Sequence, residues 1–241
     1  MLDGMPDARF EDPRLASLYD AFDDDRSDLD AYVAIVDELG ARTVLDLGCG
    51  TGTFACRLAE KGLFVIGVDP AGASIEVARA KSTAVRWVHG DAASITGPVD
   101  LVTMTANVAQ VFLTDEDWAA TLEAIRRVTA TLVFEVRDPA RQAWTGWTRA
   151  NTHETRDIPG IGVVETWCDL VDVVGELVSF RWTTVFHADG ATIVSDSTLR
   201  FRTREAIEES LRVAGFRSDV RDAPDRPGKE WVFVANALIS A

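Results

Sequence analysis

A run of glycines and acidic residues in the first quarter of the chain has the composition of a nucleotide-binding turn. The run Asp46-Leu47-Gly48-Cys49-Gly50-Thr51-Gly52 joins a short β-rich segment to a helical one. Glycines let the backbone turn sharply and approach a ligand closely. The helix that follows offers free N–H groups at its N-terminus. These residue types at this spacing predict a turn that holds a nucleotide.

Two details of this turn indicate which nucleotide it holds. A dinucleotide-binding turn wants a glycine three residues after its second one, and this chain has Thr53 there. Asp46, two residues before Gly48, would disfavour a pyrophosphate but suits a ligand that carries positive charge beside its adenosine. The turn therefore favours a cationic adenosine ligand and argues against an NAD-dependent oxidoreductase.

Two further aspartates end the next two apolar runs. Asp69 follows the turn by about 20 residues, the spacing of an acid that accepts hydrogen bonds from both ribose hydroxyls. Asp91, in Gly90-Asp91-Ala92, can accept a hydrogen bond from an adenine amino group. Either aspartate alone is also a common turn former or loop cap. In this order after the glycine turn, the two predict a ligand site.

Short apolar runs and helical patterns alternate through the first half of the chain and must position these residues. The β-rich runs lie at 43–47, 63–68, 85–88, 99–104 and 131–136, and the helical patterns at 29–39, 54–61, 75–81 and 118–128. This alternation predicts βαβ units around a buried parallel sheet. Ligands of such sheets bind beyond the carboxyl ends of the strands. We expect an α/β fold with a Rossmann-like, seven-stranded sheet, mostly parallel, whose last strand is antiparallel.

The pattern changes after residue 150. Three strand-like segments, separated by turn signals, predict a three-stranded antiparallel meander over Gly162–Val173, Glu176–His187 and Thr192–Arg202. A helix and an antiparallel pair of strands then complete the sheet. We expect a single domain over 1–241, with a cofactor-binding core at 24–140, an antiparallel β insert or lid at 150–202 and the C-terminal completion of the core at 203–241.

Composition limits the classes of function. The chain has 39 acidic and 24 basic residues and a formal net charge of −15, which argues against nucleic acid as a partner. Its three cysteines and three histidines are scattered without ligand spacing, so we expect no metal site. We find neither the apolar segment of a signal peptide nor a window long enough to span a membrane, and we expect a cytoplasmic protein.

The segment from about residue 40 to residue 137 resembles the cofactor half of class I S-adenosylmethionine-dependent methyltransferases. The D-x-G-x-G-x-G turn, the acid that ends the second strand and the Gly-Asp after the third strand all match. The resemblance implies S-adenosylmethionine as the cofactor and S-adenosylhomocysteine as its product. It implies cofactor binding by Asp46, Gly48, Gly50, Thr51, Gly52, Asp69, Pro70, Asp91 and Ala92.

Weaker likenesses concern the methyl acceptor. The loop Thr103–Gln110 lacks the Asn/Asp-Pro-Pro-Tyr signature and is similar to the Gly-Asn-Ser loop of glycine N-methyltransferases. That likeness places Asn107 near the methionine end of the cofactor, with a helix N-cap as its other interpretation. By the same likeness Arg137 would hold a substrate carboxylate with its planar fork. Internal pairing with Asp138 or Glu135 is the alternative for this arginine.

Three aromatic residues flank the expected site. Trp144 and Trp147 lie on a lid segment, where they would cover the substrate or the sulfonium, or pack the insert against the core. Tyr19 belongs to a short N-terminal helix, which in many relatives closes over the cofactor. No catalytic residue is assigned, because methyl transfer is a direct displacement. A hydroxyl acceptor would need a base, for which His153 and His187 are the candidates.

The function expected from these observations is methyl transfer to the nitrogen or oxygen of a small molecule. Two alternatives stay open: a methyltransferase that acts on tRNA or protein, and a regulatory module that binds the cofactor without transferring its methyl group. The β insert serves as a lid, as a dimer interface or as both, which leaves a homodimer open.

Overall fold

A computed structural model describes residues 6–238 of the chain. The ends of the predicted 1–241 domain, 1–5 and 239–241, lie outside the described residues. The helices are α1 (Ala8–Glu11), α2 (Pro13–Phe22), α3 (Asp28–Leu39), α4 (Thr53–Glu60), α5 (Gly72–Lys81), α6 (Asp115–Val128), α7 (Arg149–Thr152) and α8 (Arg204–Val213). The strands are β1 (Thr43–Leu47), β2 (Phe64–Asp69), β3 (Arg86–His89), β4 (Leu101–Met104), β5 (Thr131–Arg137), β6 (Glu154–Ile158), β7 (Gly162–Val174), β8 (Leu177–Phe186), β9 (Ala191–Arg200), β10 (Phe216–Asp222) and β11 (Glu230–Ala237).

Seven strands form one sheet in the order β10-β11-β5-β4-β1-β2-β3. The pairs among β1 to β5 are parallel, and β11 pairs antiparallel with both β5 and β10. This confirms the expected Rossmann-like sheet and its antiparallel final strand. The carboxyl ends of β1 to β5 therefore meet at one edge. Because β11 runs the other way, its first residue, Glu230, lies at that same edge.

Helices cover both faces of this sheet, because its strands are apolar on both sides. On one face, α3 and α4 pack against Val44, Val65 and Val133. On the other face, α6 and α8 pack against Leu45, Ile66 and Phe134. The two apolar layers hold the strand ends in a fixed register, which sets the positions of the polar residues that follow them.

The segment after residue 150 forms a second, antiparallel sheet of four strands in the order β6-β7-β8-β9, which we call the insert sheet. The predicted meander of three strands was therefore one strand short. The missed edge strand, Glu154–Ile158, reads Glu-Thr-Arg-Asp-Ile and has none of the apolar alternation that marks a half-buried strand. The buried face of the insert sheet packs on α2, through Val164 and Phe186 against Leu15 and Leu18.

No helix within residues 6–238 is long and apolar enough to cross a membrane. The cysteines Cys49, Cys56 and Cys168 are free thiols.

Candidate cofactor and substrate site

The glycine turn connects β1 to α4 and has the backbone conformation that its glycines allow. Gly48, Gly50 and Gly52 have φ values of 74°, 53° and 82°, which lie in the left-handed region. A Cβ atom on Gly48 would come within 2.5 Å of the Val108 side chain. A Cβ atom on Gly50 would meet nothing within 4 Å among the described residues. The turn is thus closely packed at Gly48 and open at Gly50.

Asp46 lies in β1 just ahead of the turn and is 1% exposed. Its Oδ1 atom accepts a hydrogen bond of 2.9 Å from the Thr103 hydroxyl. Its Oδ2 atom is buried and has no hydrogen-bond partner within residues 6–238. Burial raises the pKa of this carboxyl to about 7, because a charged carboxylate is poorly solvated there. A buried carboxylate oxygen without a donor fits a ligand that brings a positive charge or an N–H group.

Asp69 ends β2 and fastens the glycine turn to it. The Asp69 Oδ2 atom accepts the backbone N–H of Gly50, and Oδ1 accepts that of Ala71, each at 2.8 Å. Burial raises the pKa of Asp69, although these two hydrogen bonds lower it. Each carboxylate oxygen has a second lone pair, so Asp69 can hold the turn and still accept a ribose hydroxyl. The ribose role of Asp69 stays a prediction.

Asp91 and Ala92 follow β3, beside Asp69 and Pro70 at the end of β2, because Asp69 pairs with His89 in the sheet. Asp91 is exposed and caps the short 3-10 turn over Ala92–Ser94, where its Oδ1 accepts the N–H of Ala93 at 2.9 Å. The loop-cap interpretation of Asp91 therefore holds in this structure. Its second oxygen leaves the predicted adenine contact open.

Helix α2 is fastened to the glycine turn by a residue that we did not single out from the sequence. Asp20, next to Tyr19, accepts hydrogen bonds from the hydroxyls of Thr51 at 2.7 Å and Thr53 at 3.2 Å. The same carboxylate forms an ion pair with Lys81. The Tyr19 side chain itself contacts Phe10, with ring centroids 5.7 Å apart. Asp20 gave no sequence signal of its own, since an aspartate in an acidic segment resembles any surface residue.

Asn107 lies in a strained loop that two buried acids support. Ala106 and Asn107 have φ values of 58° and 62°, in the left-handed region that non-glycine residues rarely adopt. The Glu135 Oε1 atom accepts the backbone N–H of Asn107 at 3.0 Å, and the Asn107 side-chain amide donates to Glu230 Oε2 at 3.4 Å. Asn107 also occupies the N-cap position of the 3-10 turn Val108–Val111, but its side chain makes no capping hydrogen bond. Neither Glu135 nor Glu230 was predicted to hold Asn107, because β5 and β11 meet only in the folded sheet.

Glu135 is the second buried acid with a free oxygen at this edge. The residue is 3% exposed, and its Oε2 atom has no partner within the described part of the chain. Burial, together with the nearby Glu230 carboxylate, raises its pKa to about 8. Below that pH the Glu135 side chain is a neutral carboxylic acid, which can donate a hydrogen bond.

Arg137 forms an internal ion pair, which is one of its two interpretations from the sequence. Its partner is neither Asp138 nor Glu135. Its Nε atom lies 3.7 Å from Glu230 Oε1, and its guanidinium donates to Gln110 Oε1 at 3.3 Å. Asp138, by contrast, lies 3.6 Å from Arg141. Sheet pairing explains the choice of partner, because Glu230 stands directly opposite Arg137 across β5 and β11.

Trp144 and Trp147 both pack against aromatic residues beyond the lid segment. The ring of Trp144 makes an edge-to-face contact with Phe201, and that of Trp147 with Phe180, each with centroids 4.6 Å apart. The Arg137 guanidinium lies 5.8 Å from the Trp147 ring. Packing of the insert against the core is thus present, and a role for either tryptophan in covering a substrate stays a prediction.

Comparison with known proteins agrees with this geometry. Residues 44–131 match the family model described as a methyltransferase domain. The cypemycin N-terminal methyltransferase of a Streptomyces species is 38% identical over 101 residues, which are 40% of this chain and 41% of that protein. A putative methyltransferase of Bacillus subtilis (strain 168), YqeM, is 28% identical over 72% of this chain and 73% of its own length.

A solved structure matches over nearly the whole chain. The sugar N-methyltransferase KedS8 from Streptoalloteichus sp ATCC 53650 aligns with a TM-score of 0.74 and 20% identity, covering 92% of this chain and 93% of that one. The chain therefore has the class I methyltransferase fold. Within that fold, residues 44–131 are the part that matches the methyltransferase domain. The match to the Streptomyces protein covers less than half of that protein's length.

Proposed function

We propose that this protein is an S-adenosylmethionine-dependent methyltransferase that acts on a small molecule. The observation that carries the proposal is Asp46, whose buried and unpartnered oxygen lies immediately ahead of the open glycine turn. S-Adenosylmethionine is an adenosine ligand with both an ammonium and a sulfonium, so its positive charge would satisfy this carboxylate. A diphosphate would be repelled there, which argues against a dinucleotide.

The residues around the turn divide the binding task by their chemistry. Asp46 and the open side of Gly50 would receive the methionine end, Asp69 the ribose, and Asp91 the adenine amino group. Tyr19, held near the turn through Asp20, would cover them. When bound, the cofactor supplies a methyl group on a positively charged sulfur, the reactive group of the transfer. The protein aligns the acceptor and keeps water away from it.

We propose a nitrogen atom as the methyl acceptor. Both histidines that qualified as bases for a hydroxyl pair with Glu165 instead, His153 at 2.6 Å and His187 at 3.4 Å. Glu165 alternates along β7 with the buried Val164 and Thr166, so it points away from the packed face of the insert sheet. A neutral amine needs no base to deprotonate it. The names of the Streptomyces and Streptoalloteichus proteins both state N-terminal or N-methylation.

The net charge of −15 supports a small molecule over tRNA, because a phosphate backbone is attracted by basic surfaces. A protein acceptor and a regulatory module that only binds the cofactor are the remaining candidates. We further propose the cytoplasm as the compartment, which agrees with three free thiols. A homodimer through the insert sheet stays a prediction, for which sedimentation of the full chain is the measurement.

Titration calorimetry with S-adenosylhomocysteine tests the cofactor assignment. We expect Asp69→Ala to weaken binding by roughly 1–3 kcal/mol, the contribution of hydrogen bonds to a charged group. Asp100→Ala is the matched control, since Asp100 also accepts two backbone N–H groups, from Arg42 at 2.9 Å and Thr43 at 2.8 Å. Asp100 immediately precedes β4, at the amino ends of the parallel strands, so its removal should leave the affinity unchanged.

Two results would contradict the proposal: NAD binding in place of S-adenosylhomocysteine, or equal losses in both variants. Incubation of metabolite fractions with methyl-labelled cofactor then separates an enzyme from a regulatory module. We expect incorporation of label into a low-molecular-weight amine. Binding of the cofactor without incorporation into any fraction, protein or RNA would favour the regulatory module.

A further inference from the structure

A narrow cleft separates the N-terminal helices from the insert sheet, away from the glycine turn. The cleft is tight, with a cavity volume of about 20 Å³. Arg9 and Tyr19 line one wall, and Thr166, Trp182 and Thr184 line the other. Tyr19 precedes Asp20, the residue that binds the glycine turn, so helix α2 contributes one residue to the cleft and the next to the turn.

The floor of this cleft is polar where the packed face of a sheet is ordinarily apolar. Thr166 and Thr184 are 4% and 5% exposed, and their hydroxyl oxygens lie 3.2 Å apart. Both alternate with outward-facing residues, so their side chains point toward the helices. On strand β9, which is next to the strand of Thr184, Ser195 lies on the same face and accepts the backbone N–H of Arg9 at 2.8 Å. The insert sheet thus fixes the position of Arg9.

The Arg9 guanidinium lies between two aromatic rings and has no acidic partner among residues 6–238. Its Cζ atom is 3.9 Å from the centroid of Trp182 and 5.5 Å from that of Tyr19. The acids close to it are engaged elsewhere: Asp7 accepts a hydrogen bond from Ser197, and Asp23 lies 3.4 Å from Arg26. Burial lowers the pKa of Arg9, as expected for a cation that has lost water without gaining a carboxylate.

Arg14 provides the comparison, because it is placed in the same way and yet is neutralised. Its Cζ atom lies 3.7 Å from the ring of Phe186, also on the packed face of the insert sheet. Its guanidinium is 3.0 Å from Asp189. Arg137, for which the sequence left a role as an anion anchor open beside internal pairing, faces Glu230. Arg9 therefore keeps the N–H donors that Arg14 and Arg137 share with carboxylates.

We propose that Arg9 binds an anionic group, a carboxylate or a phosphate, of the methyl acceptor. The aromatic rings hold the guanidinium in place, and its own N–H groups are the donors to the oxygen atoms of the anion. The acceptor is then a small molecule that carries an amine at one end and an anion at the other. This inference rests on the proposed methyltransferase function for the identity of the ligand, but the anion site itself does not.

The test uses the full chain saturated with S-adenosylhomocysteine, so that the carboxylate site of the cofactor is filled. Inorganic phosphate and acetate are titrated separately at constant ionic strength. Tryptophan fluorescence reports binding, because Trp182 lies against Arg9. We expect saturable binding of at least one anion, and the tighter of the two identifies the group that the acceptor carries. Absence of saturable binding to the wild-type protein would overturn the proposal without any variant.

Three variants locate the anion. We expect Arg9→Met to weaken anion binding at least tenfold, Arg9→Lys to weaken it less because the charge remains, and Arg14→Met to bind as the wild type does. Equal effects of Arg9→Met and Arg14→Met would overturn the proposal. S-Adenosylhomocysteine affinity is measured in the same samples and should be unchanged in Arg9→Met. A tenfold loss there would assign Arg9 to the carboxylate of the cofactor, whereas failure of the wild type to bind S-adenosylhomocysteine would contradict the proposed function alone.

Discussion

The strand-end edge of the seven-stranded sheet and the cleft under the insert sheet carry unpartnered ionisable groups of opposite kind, acids at the first and an arginine in the second. At the strand ends, Asp46 and Glu135 each have a buried carboxyl oxygen without a donor in the described residues. In the cleft, Arg9 has a guanidinium that pairs with no acid of residues 6–238. The two regions are joined by α2, which contributes Tyr19 to the cleft and Asp20 to the glycine turn.

Under the proposed function, the two regions bind the two different reactants. A buried charge without a partner lowers the stability of the folded protein, so it persists where a ligand satisfies it. The strand ends suit a cationic cofactor, and the cleft suits an anionic acceptor. Three predictions test whether these charges are as free as the structure indicates.

The largest effect concerns the stability of the ligand-free protein as a function of pH. The folded pKa of Asp46, about 7, lies above its ordinary value of 3.8, so the folded state holds more protons between these values. The stability that Asp46 contributes is therefore lost as the pH rises from about 4 to about 7, by roughly 2–4 kcal/mol. We expect Asp46→Asn to reduce the decline between pH 5 and pH 8 in urea unfolding, while the decline caused by Glu135 remains. Parallel declines in both proteins would show that Asp46 is solvated or paired.

An intermediate effect contrasts the paired and the unpartnered arginine. Arg137→Met leaves the buried Glu230 carboxylate with the Asn107 amide and with Arg226, 3.5 Å away, and we expect it to lower the free energy of unfolding by about 2 kcal/mol. Arg9→Met removes a cation that has no acid to leave behind, so its effect should be smaller. Thermal unfolding of both variants at pH 7 is the measurement. A larger loss in Arg9→Met would mean that Arg9 has a structural partner.

The smallest effect is the pH dependence of cofactor binding. The ammonium of S-adenosylhomocysteine favours the ionised form of Asp46, so affinity should rise with pH below about 7 and level off above it. The slope cannot exceed tenfold per pH unit, or about 1.4 kcal/mol. Calorimetry from pH 6 to pH 8 measures it. Asp46→Asn should flatten the profile, whereas Glu135→Gln should keep it; the reverse result would exchange the roles assigned to the two acids.

Most of the predicted cofactor site follows from local sequence patterns. The glycine turn, Asp69 and Asp91 lie in neighbouring strand ends because the order of strands and helices places them there. The acceptor half was harder to predict. The partner of Arg137 is 93 residues away in the chain, at position 230, and the strand Glu154–Ile158 has too few apolar residues to be recognised. Neither the ion pair of Arg137 nor this edge strand is marked by a local sequence pattern.

The sequence by itself determined the fold class and the glycine turn, since periodicity and backbone freedom are properties of short segments. Only the tertiary structure decided which charges are neutralised. Arg137 and Arg9 are the same residue type, and no local pattern distinguishes them. Glu230 stands opposite the first across two antiparallel strands, while the second lies between two aromatic rings, because the distance between charges is set by packing and not by position in the chain.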